Sequence, residues 1–343
     1  MSCFIIAEAG VNHNGSEKLA LELVATAKEA GADAVKFQTF SADRLARPGA
    51  RKAAYQERET GTGDQLSMLR ALELPESAYV RLRDHCRAQG IEFLSTPFDR
   101  EAADLLVALG MLRLKVPSGE ITNFPFLAYL AGKGLPIILS TGMADLEEVA
   151  RAIDVIRQAW TGAGVVERPG MLTLLHCTSN YPAAMEDVNL RAMQTMADSF
   201  NLPVGYSDHT SGVEVSVAAV ALGATVIEKH FTLDRNMPGP DHKASLEPDA
   251  LARLVREIRN VGLALGDGVK KPRPSELPVR DLVRRSVTLL RPMAAGERIG
   301  HEDITLLRPG TGIPPMDMEK VIGRVLRCGL DAGAMLEWED LLP

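Results

Sequence analysis

The chain has 343 residues, a formal net charge of -7, and a composition that is 46% hydrophobic and 24% charged. That profile suits a soluble globular protein with one large domain and a small companion. The acidic balance gives nucleic acid no electrostatic footprint, and no stretch approaches the ~20 apolar residues of a membrane span.

The chain opens on a short apolar run at 4–8, without a basic n-region or a long h-region, so no secretory signal is expected. From there two periods alternate. Short apolar runs fall at 4–8, 34–37, 91–94, 112–116, 136–139, 172–176, 203–206 and 225–228. Amphipathic stretches follow them at 17–30, 78–89, 100–109, 146–160, 190–200, 213–222 and 248–265. Strand–helix alternation implies a parallel sheet with right-handed crossovers. Eight units within residues 1–265 predict a (β/α)₈ TIM barrel. The rival is an open doubly wound sheet, which carries a glycine-rich phosphate loop after its first strand. Here that loop reads Gly10-Val11-Asn12-His13-Asn14-Gly15 and lacks G-x-G-x-x-G, which favours the barrel. Residues 266–282 are punctuated by Gly-Asp-Gly and repeated prolines, and are expected to be a linker. Residues 283–343 are expected to form a small β-rich domain.

Cys3, Cys86, Cys177 and Cys328 form no Cys-x-x-Cys pair, which fits buried thiols in a reducing, cytoplasmic compartment.

A (β/α)₈ barrel places its active site at the C-terminal strand ends. Those ends carry Glu8, Lys36 with Gln38, Ser95-Thr96, Lys115 with Ser118 and Glu120, Ser140-Thr141, His176 to Tyr181, Ser207-Asp208-His209, and Glu228 with His230. Polar groups at every end imply one polar pocket. Lysines 36 and 115 with serines 118, 140 and 207 suit a phosphate or carboxylate. The alternatives are lysines paired with glutamates, or a Schiff-base lysine. His209 and His230 end consecutive strands ~4.8 Å apart, close enough to share a metal ion. His176 is an alternative third ligand, although its place inside the strand favours packing. Asp241 follows the eighth strand on a proline- and glycine-rich loop, where either a site contact or an ordinary solvated turn is open.

The ordered motifs then become familiar. They run Ile6-Ala7-Glu8-Ala9-Gly10-Val11-Asn12-His13-Asn14-Gly15, Lys36-Phe37-Gln38-Thr39, Ser95-Thr96-Pro97-Phe98, Pro117-Ser118-Gly119-Glu120, Ser140-Thr141-Gly142-Met143, His176-Cys177-Thr178, Ser207-Asp208-His209-Thr210 and Glu228-Lys229-His230-Phe231. The set resembles the sialic acid synthase family, which includes N-acetylneuraminate, legionaminate and pseudaminate synthases. The tail around Arg308-Pro309-Gly310 is similar to that family's antifreeze-like (SAF) domain.

The resemblance implies condensation of phosphoenolpyruvate with an open-chain N-acetylhexosamine, giving a nine-carbon 2-keto acid and phosphate. It implies that Lys36, Lys115, Ser118, Ser140, Ser207 and Ser179 (or Asn180) hold phosphoenolpyruvate. His209 and His230 would bind Mn²⁺, or Mg²⁺ or Co²⁺ in its place. Glu8, Gln38, Tyr181 and Asp241 would contact the sugar, and Glu120 would lie beside the reacting carbons. Either Glu8 or Glu120 would be the base. Arg308 would arrive from the partner of a domain-swapped homodimer. A pyruvate aldolase and a non-catalytic sugar-binding protein stand as the other classes.

Overall fold

A computed structural model describes residues 3–343, which divide after Gly266 into two compact units. The first carries strands β1 (Phe4–Gly10), β2 (Ala34–Thr39), β3 (Glu92–Pro97), β4 (Leu114–Val116), β5 (Ile137–Ser140), β6 (Leu172–Cys177), β7 (Val204–Asp208) and β8 (Val226–His230). They pair in parallel in the order β3-β2-β1-β8-β7-β6-β5-β4, and β3 lies against β4 across the last seam. This is the expected (β/α)₈ barrel. Its outer layer consists of α1 (Glu17–Glu29), α2 (Ala42–Leu45), α3 (Ala54–Thr60), α4 (Gln65–Arg70), α5 (Glu76–Gln89), α6 (Arg100–Ala108), α7 (Phe124–Ala131), α8 (Leu146–Gly162), α9 (Arg191–Phe200), α10 (Glu214–Ala221) and α11 (Pro248–Ala264).

Local chemistry fixes where these helices start. Ser16 caps α1 by accepting from the Leu19 N–H, and Asp99 caps α6 by accepting from that of Ala102. Asp145 and Glu148 close a reciprocal capping box on α8, and Pro248 occupies the first turn of α11. Helix α7, Phe-Pro-Phe-Leu-Ala-Tyr-Leu-Ala, is apolar nearly all round and therefore shows no helical period in the sequence. At the N-terminal end of the barrel, Arg259 of α11 bonds Asp33 at 2.7 Å, in the loop before β2.

Register places the chemistry. Glu8 pairs across with Lys36 on one side and His230 on the other, and Ser207 with Glu228. Side chains alternate along each strand, so Glu8, Lys36, Ser207, Glu228 and His230 face one interior. Asp208 and Lys229 fall in the opposite phase. They form a fully buried 2.9 Å ion pair, with Ser216 of α10 donating to Asp208 at 2.6 Å.

The second unit has its own core, built from Val287, Leu289, Met293, Ile299, Ile304, Ile313, Val321, Leu326, Leu336 and Leu341. Residues 266–282 are not all linker, because α12 (Leu277–Val283) forms there. Pro278 lies in that helix's first turn, where its fixed φ starts a helix instead of breaking one. β9 (Ser286–Leu289) and β10 (Ile304–Leu307) pair antiparallel, and a short α13 (Met318–Val321) follows.

Candidate active site

His209 and His230 meet at the barrel mouth with ring centroids 5.7 Å apart. The Thr178 carbonyl lies 2.7 Å from His209 Nδ1, which puts the proton there and leaves Nε2 as the lone pair. Nε2 has only a long 3.4 Å contact with the Ser207 hydroxyl. His230 Nδ1 is buried without a partner. Burial holds both imidazoles below the usual histidine range, His230 well below it, so both are neutral. Among the described residues no group of three or more His, Cys, Asp or Glu side chains is arranged around an ion. Two neutral imidazoles with open nitrogens fit a divalent ion that keeps other positions for water and substrate.

Beside them lies a buried quartet. Lys36 sits 2.8 Å from Glu8 and 3.6 Å from Glu228, and donates to Thr96 at 2.9 Å. Lys115 sits 3.3 Å from Glu228. Burial pushes the Glu8 carboxyl up to about 7 against the pull of Lys36. For Glu228 burial is outweighed by Lys115 and Lys36, which bring it down to about 2. The lysine–glutamate pairing, one of the two alternatives open from the sequence, is therefore present. It does not exhaust the lysines. Lys115 has three ammonium protons and one carboxylate oxygen at 3.3 Å, and the Ser140 hydroxyl at the end of β5, the neighbouring strand, is buried without a partner. Buried donors left unsatisfied are costly, so this corner is built for an added acceptor.

Three more side chains extend that corner. Ser118 accepts from the Gly142 N–H at 2.9 Å and lies 3.2 Å from the Cys177 sulfur. A methyl group on Gly142 would collide with Ser179, Cys177 and Ser118, so all three converge there and only glycine fits. Gln38 reaches Glu8 at 3.4 Å. The Tyr181 ring packs 4.1 Å from His209 and 5.6 Å from His230. Asp241 is buried, not the solvated turn that was open from the sequence, and burial pushes its carboxyl up to about 6.

The remaining expected residues make other contacts. Glu120 is half-buried on the short turn after β4 and accepts from Asn123 at 2.6 Å. His176 bonds the Val188 carbonyl at 2.8 Å, away from the histidine pair. Arg308 is exposed on the second unit, just after β10. The sequence reading gave Glu228 no role, although it touches both lysines and Ser207. Its signal was available: it precedes His230 by two residues, hence points the same way.

On the loops after β1 and β8, His13 and His242 are buried, and burial lowers each to about 4. His242 is fixed by Thr232 at 2.6 Å and Asn14 at 3.1 Å. Unfolding exposes them to water, where histidine titrates near ~6.5, so between about pH 6.5 and 4 the unfolded chain binds more protons. Stability then falls as pH falls, by about 1.4 kcal/mol per pH unit for each histidine, and this loss levels off below pH 4. Urea titrations from pH 7 to 4 should show a shallower slope in His242→Asn by one histidine's share. An unchanged slope refutes the assignment.

Fold and site together define a (β/α)₈ protein whose mouth joins a lysine–serine anion corner to a pair of metal-competent histidines. The NeuB family model matches residues 23–270, the SAF domain model matches 284–342, and the chain belongs to the NeuB family. It is similar to N,N'-diacetyllegionaminic acid synthase of Legionella pneumophila, 54% identical over 99% of this chain and 95% of that protein. The Campylobacter jejuni protein of the same name is 49% identical over 94% of this chain and 95% of its own length. Among solved structures, the N-acetylneuraminic acid synthetase of Leptospira borgpetersenii aligns with TM-score 0.70 and 35% identity, over 81% of this chain and 90% of that one.

Proposed function

We propose that the protein condenses phosphoenolpyruvate with 2,4-diacetamido-2,4,6-trideoxymannose to give N,N'-diacetyllegionaminic acid and phosphate. The observation that carries this is the buried Lys115 beside the unpartnered Ser140 hydroxyl, together with the two open imidazoles. It supplies an anion seat and a carbonyl-activating centre in one cavity. The choice of sugar follows the two relatives of that name at 54% and 49% identity.

Lys36, Lys115, Ser118, Ser140, Ser179 and Ser207 hold the phosphate and carboxylate by charge-assisted and neutral hydrogen bonds. Gln38, Tyr181 and Asp241 hold the sugar with its aldehyde toward the histidines. His209 and His230 hold the divalent ion, Mn²⁺ in our proposal, which polarises the aldehyde oxygen when bound. C3 of phosphoenolpyruvate bonds to the aldehyde carbon, the aldehyde C=O π bond breaks and its oxygen takes a proton from solvent to become a hydroxyl, and positive charge develops at C2 beside Glu8 and Glu228. Glu8 is the base. With its carboxyl near 7 and its Oε2 held 2.8 Å from Lys36, it can take the proton of the water that attacks C2. The C2–O bond then breaks, phosphate leaves with the bridging oxygen, and the water oxygen becomes the keto group. Glu120, which accepts from Asn123 on the turn after β4, takes no step in this scheme.

We further propose a homodimer in which Arg308 of the partner meets the sugar's acetamido group, as the family resemblance implies.

Phosphate release with a panel of N-acetylmannosamine, its 6-phosphate and the 2,4-diacetamido sugar tests the substrate, and the last should give the highest kcat/KM. Phosphoenolpyruvate carrying ¹⁸O at the bridging position should give labelled phosphate. Label retained in the keto acid rejects the mechanism. A borohydride-trapped pyruvate adduct on Lys36 or Lys115 would favour the aldolase class instead.

A further inference from the structure

Between β2 and α5 the chain inserts three short helices, α2 to α4. The middle one, α3, buries none of its own residues. Its Tyr55 nevertheless reaches the site. The Tyr55 ring lies 5.2 Å from that of Tyr181 at an interplanar angle of 29°, a stacked pair. Tyr181 in turn packs on His209 and His230, so one continuous run of rings joins the insertion to the imidazoles. Burial raises the phenol of Tyr55, and the Asp241 carboxylate adds to it; the same carboxylate acts on Tyr181. Tyr55 therefore stacks directly on Tyr181, which the preceding section assigns to the sugar, and lies within the field of Asp241, assigned there too. On α3, Glu59 and Thr60 line a cavity of about 510 Å³ together with Pro238, Gly239 and Pro240, the segment leading into Asp241. Open space beside α3 makes the tyrosine stack a principal tie between this helix and the mouth.

We propose that Tyr55 is a positioning residue for the acceptor sugar, setting the shape of the acceptor end of the site from outside the barrel proper. Its ring backs Tyr181 in a stacked pair. The inference rests on the assignment of Tyr181 and Asp241 to the sugar. The lysine–serine corner holds no contact with Tyr55 among the described residues, so the phosphoenolpyruvate end should not respond.

The test is steady-state kinetics of the metal-loaded full chain with each substrate varied in turn, for Tyr55→Ala and Tyr55→Phe. Loss of the stacked ring should raise the sugar KM about tenfold. The phosphoenolpyruvate KM should stay within about twofold. Tyr55→Phe keeps the stack and should recover most of the loss, leaving the hydroxyl's share of about threefold or less. A rise in both KM values together, an unchanged sugar KM in Tyr55→Ala, or a fall in melting temperature without a KM split overturns the inference. If the unmodified enzyme releases no sugar-dependent phosphate, the function itself fails and the Tyr55 role falls with it. If it does and the variants show no split, Tyr55 alone is refuted.

Discussion

His209→Ala should fold, bind no stoichiometric Mn²⁺, and lose more than about 10³-fold in phosphate release at any practical metal concentration. The size follows from what the imidazole supplies. In the proposed site one of two protein ligands disappears, and the remaining His230 cannot hold an ion alone in competition with water. Folding should survive because His209 is not part of the apolar core, whose strands and helices pack beneath it. Chelation of the unmodified protein should give the same loss, with Mn²⁺ restoring turnover. Metal content separates ligand loss from misfolding, and circular dichroism checks the fold. His176→Ala is the control. Its imidazole serves the Val188 carbonyl, so metal content and kcat should stay near those of the unmodified protein. Full turnover with metal content verified as nil would remove the histidine pair from the mechanism.

The barrel was legible because each of its strands is covered on both faces and therefore reads as an apolar run. Strand ends were read short. Expected ends at 94, 206 and 228 become Pro97, Asp208 and His230. The cause is physical: the last residues of each strand turn polar because they face the mouth, so an apolar-run criterion stops where the site begins. The same polarity made the site readable, since Glu8, Lys36, Lys115, His209 and His230 stand out against their runs. Three features were not readable. Helix α7 lacks a polar face, the 42–70 insertion lacks a sustained period, and for Asp241 the residues alone left a site contact and a solvated turn both open, because burial by distant chain leaves no local mark. The buried Asp208–Lys229 pair shows a further limit. It lies in the same motifs as the two histidines, yet only strand phase separates the ligating residues from the structural ones.

Two inactive proteins, mixed under conditions that exchange chains, should recover about a quarter of the unmodified activity. One is Arg308→Ala, with an intact barrel; the other is His209→Ala, with an intact second unit. Random pairing makes about half the dimers mixed, and each mixed dimer holds one complete site of two if Arg308 acts across the dimer. If Arg308 serves its own chain's barrel, every site keeps one defect and nothing returns. Arginine suits the assigned task. Its planar fork fixes an acetamido oxygen in a preorganised geometry, and its charge does not titrate. Arg308 is also held where a ligand can meet it. It is exposed at the end of β10, and the turn behind it is pinned by the Ser286 hydroxyl donating to the Pro309 carbonyl at 2.7 Å and the Gly310 N–H to that of Asp281 at 2.7 Å. Removing the side chain therefore takes away a contact without loosening its support, and the melting temperature of Arg308→Ala should match that of the unmodified chain. A mixture that stays inactive, with mixed dimers verified by mass, refutes delivery across the dimer and leaves the chemistry at the barrel mouth as it stands.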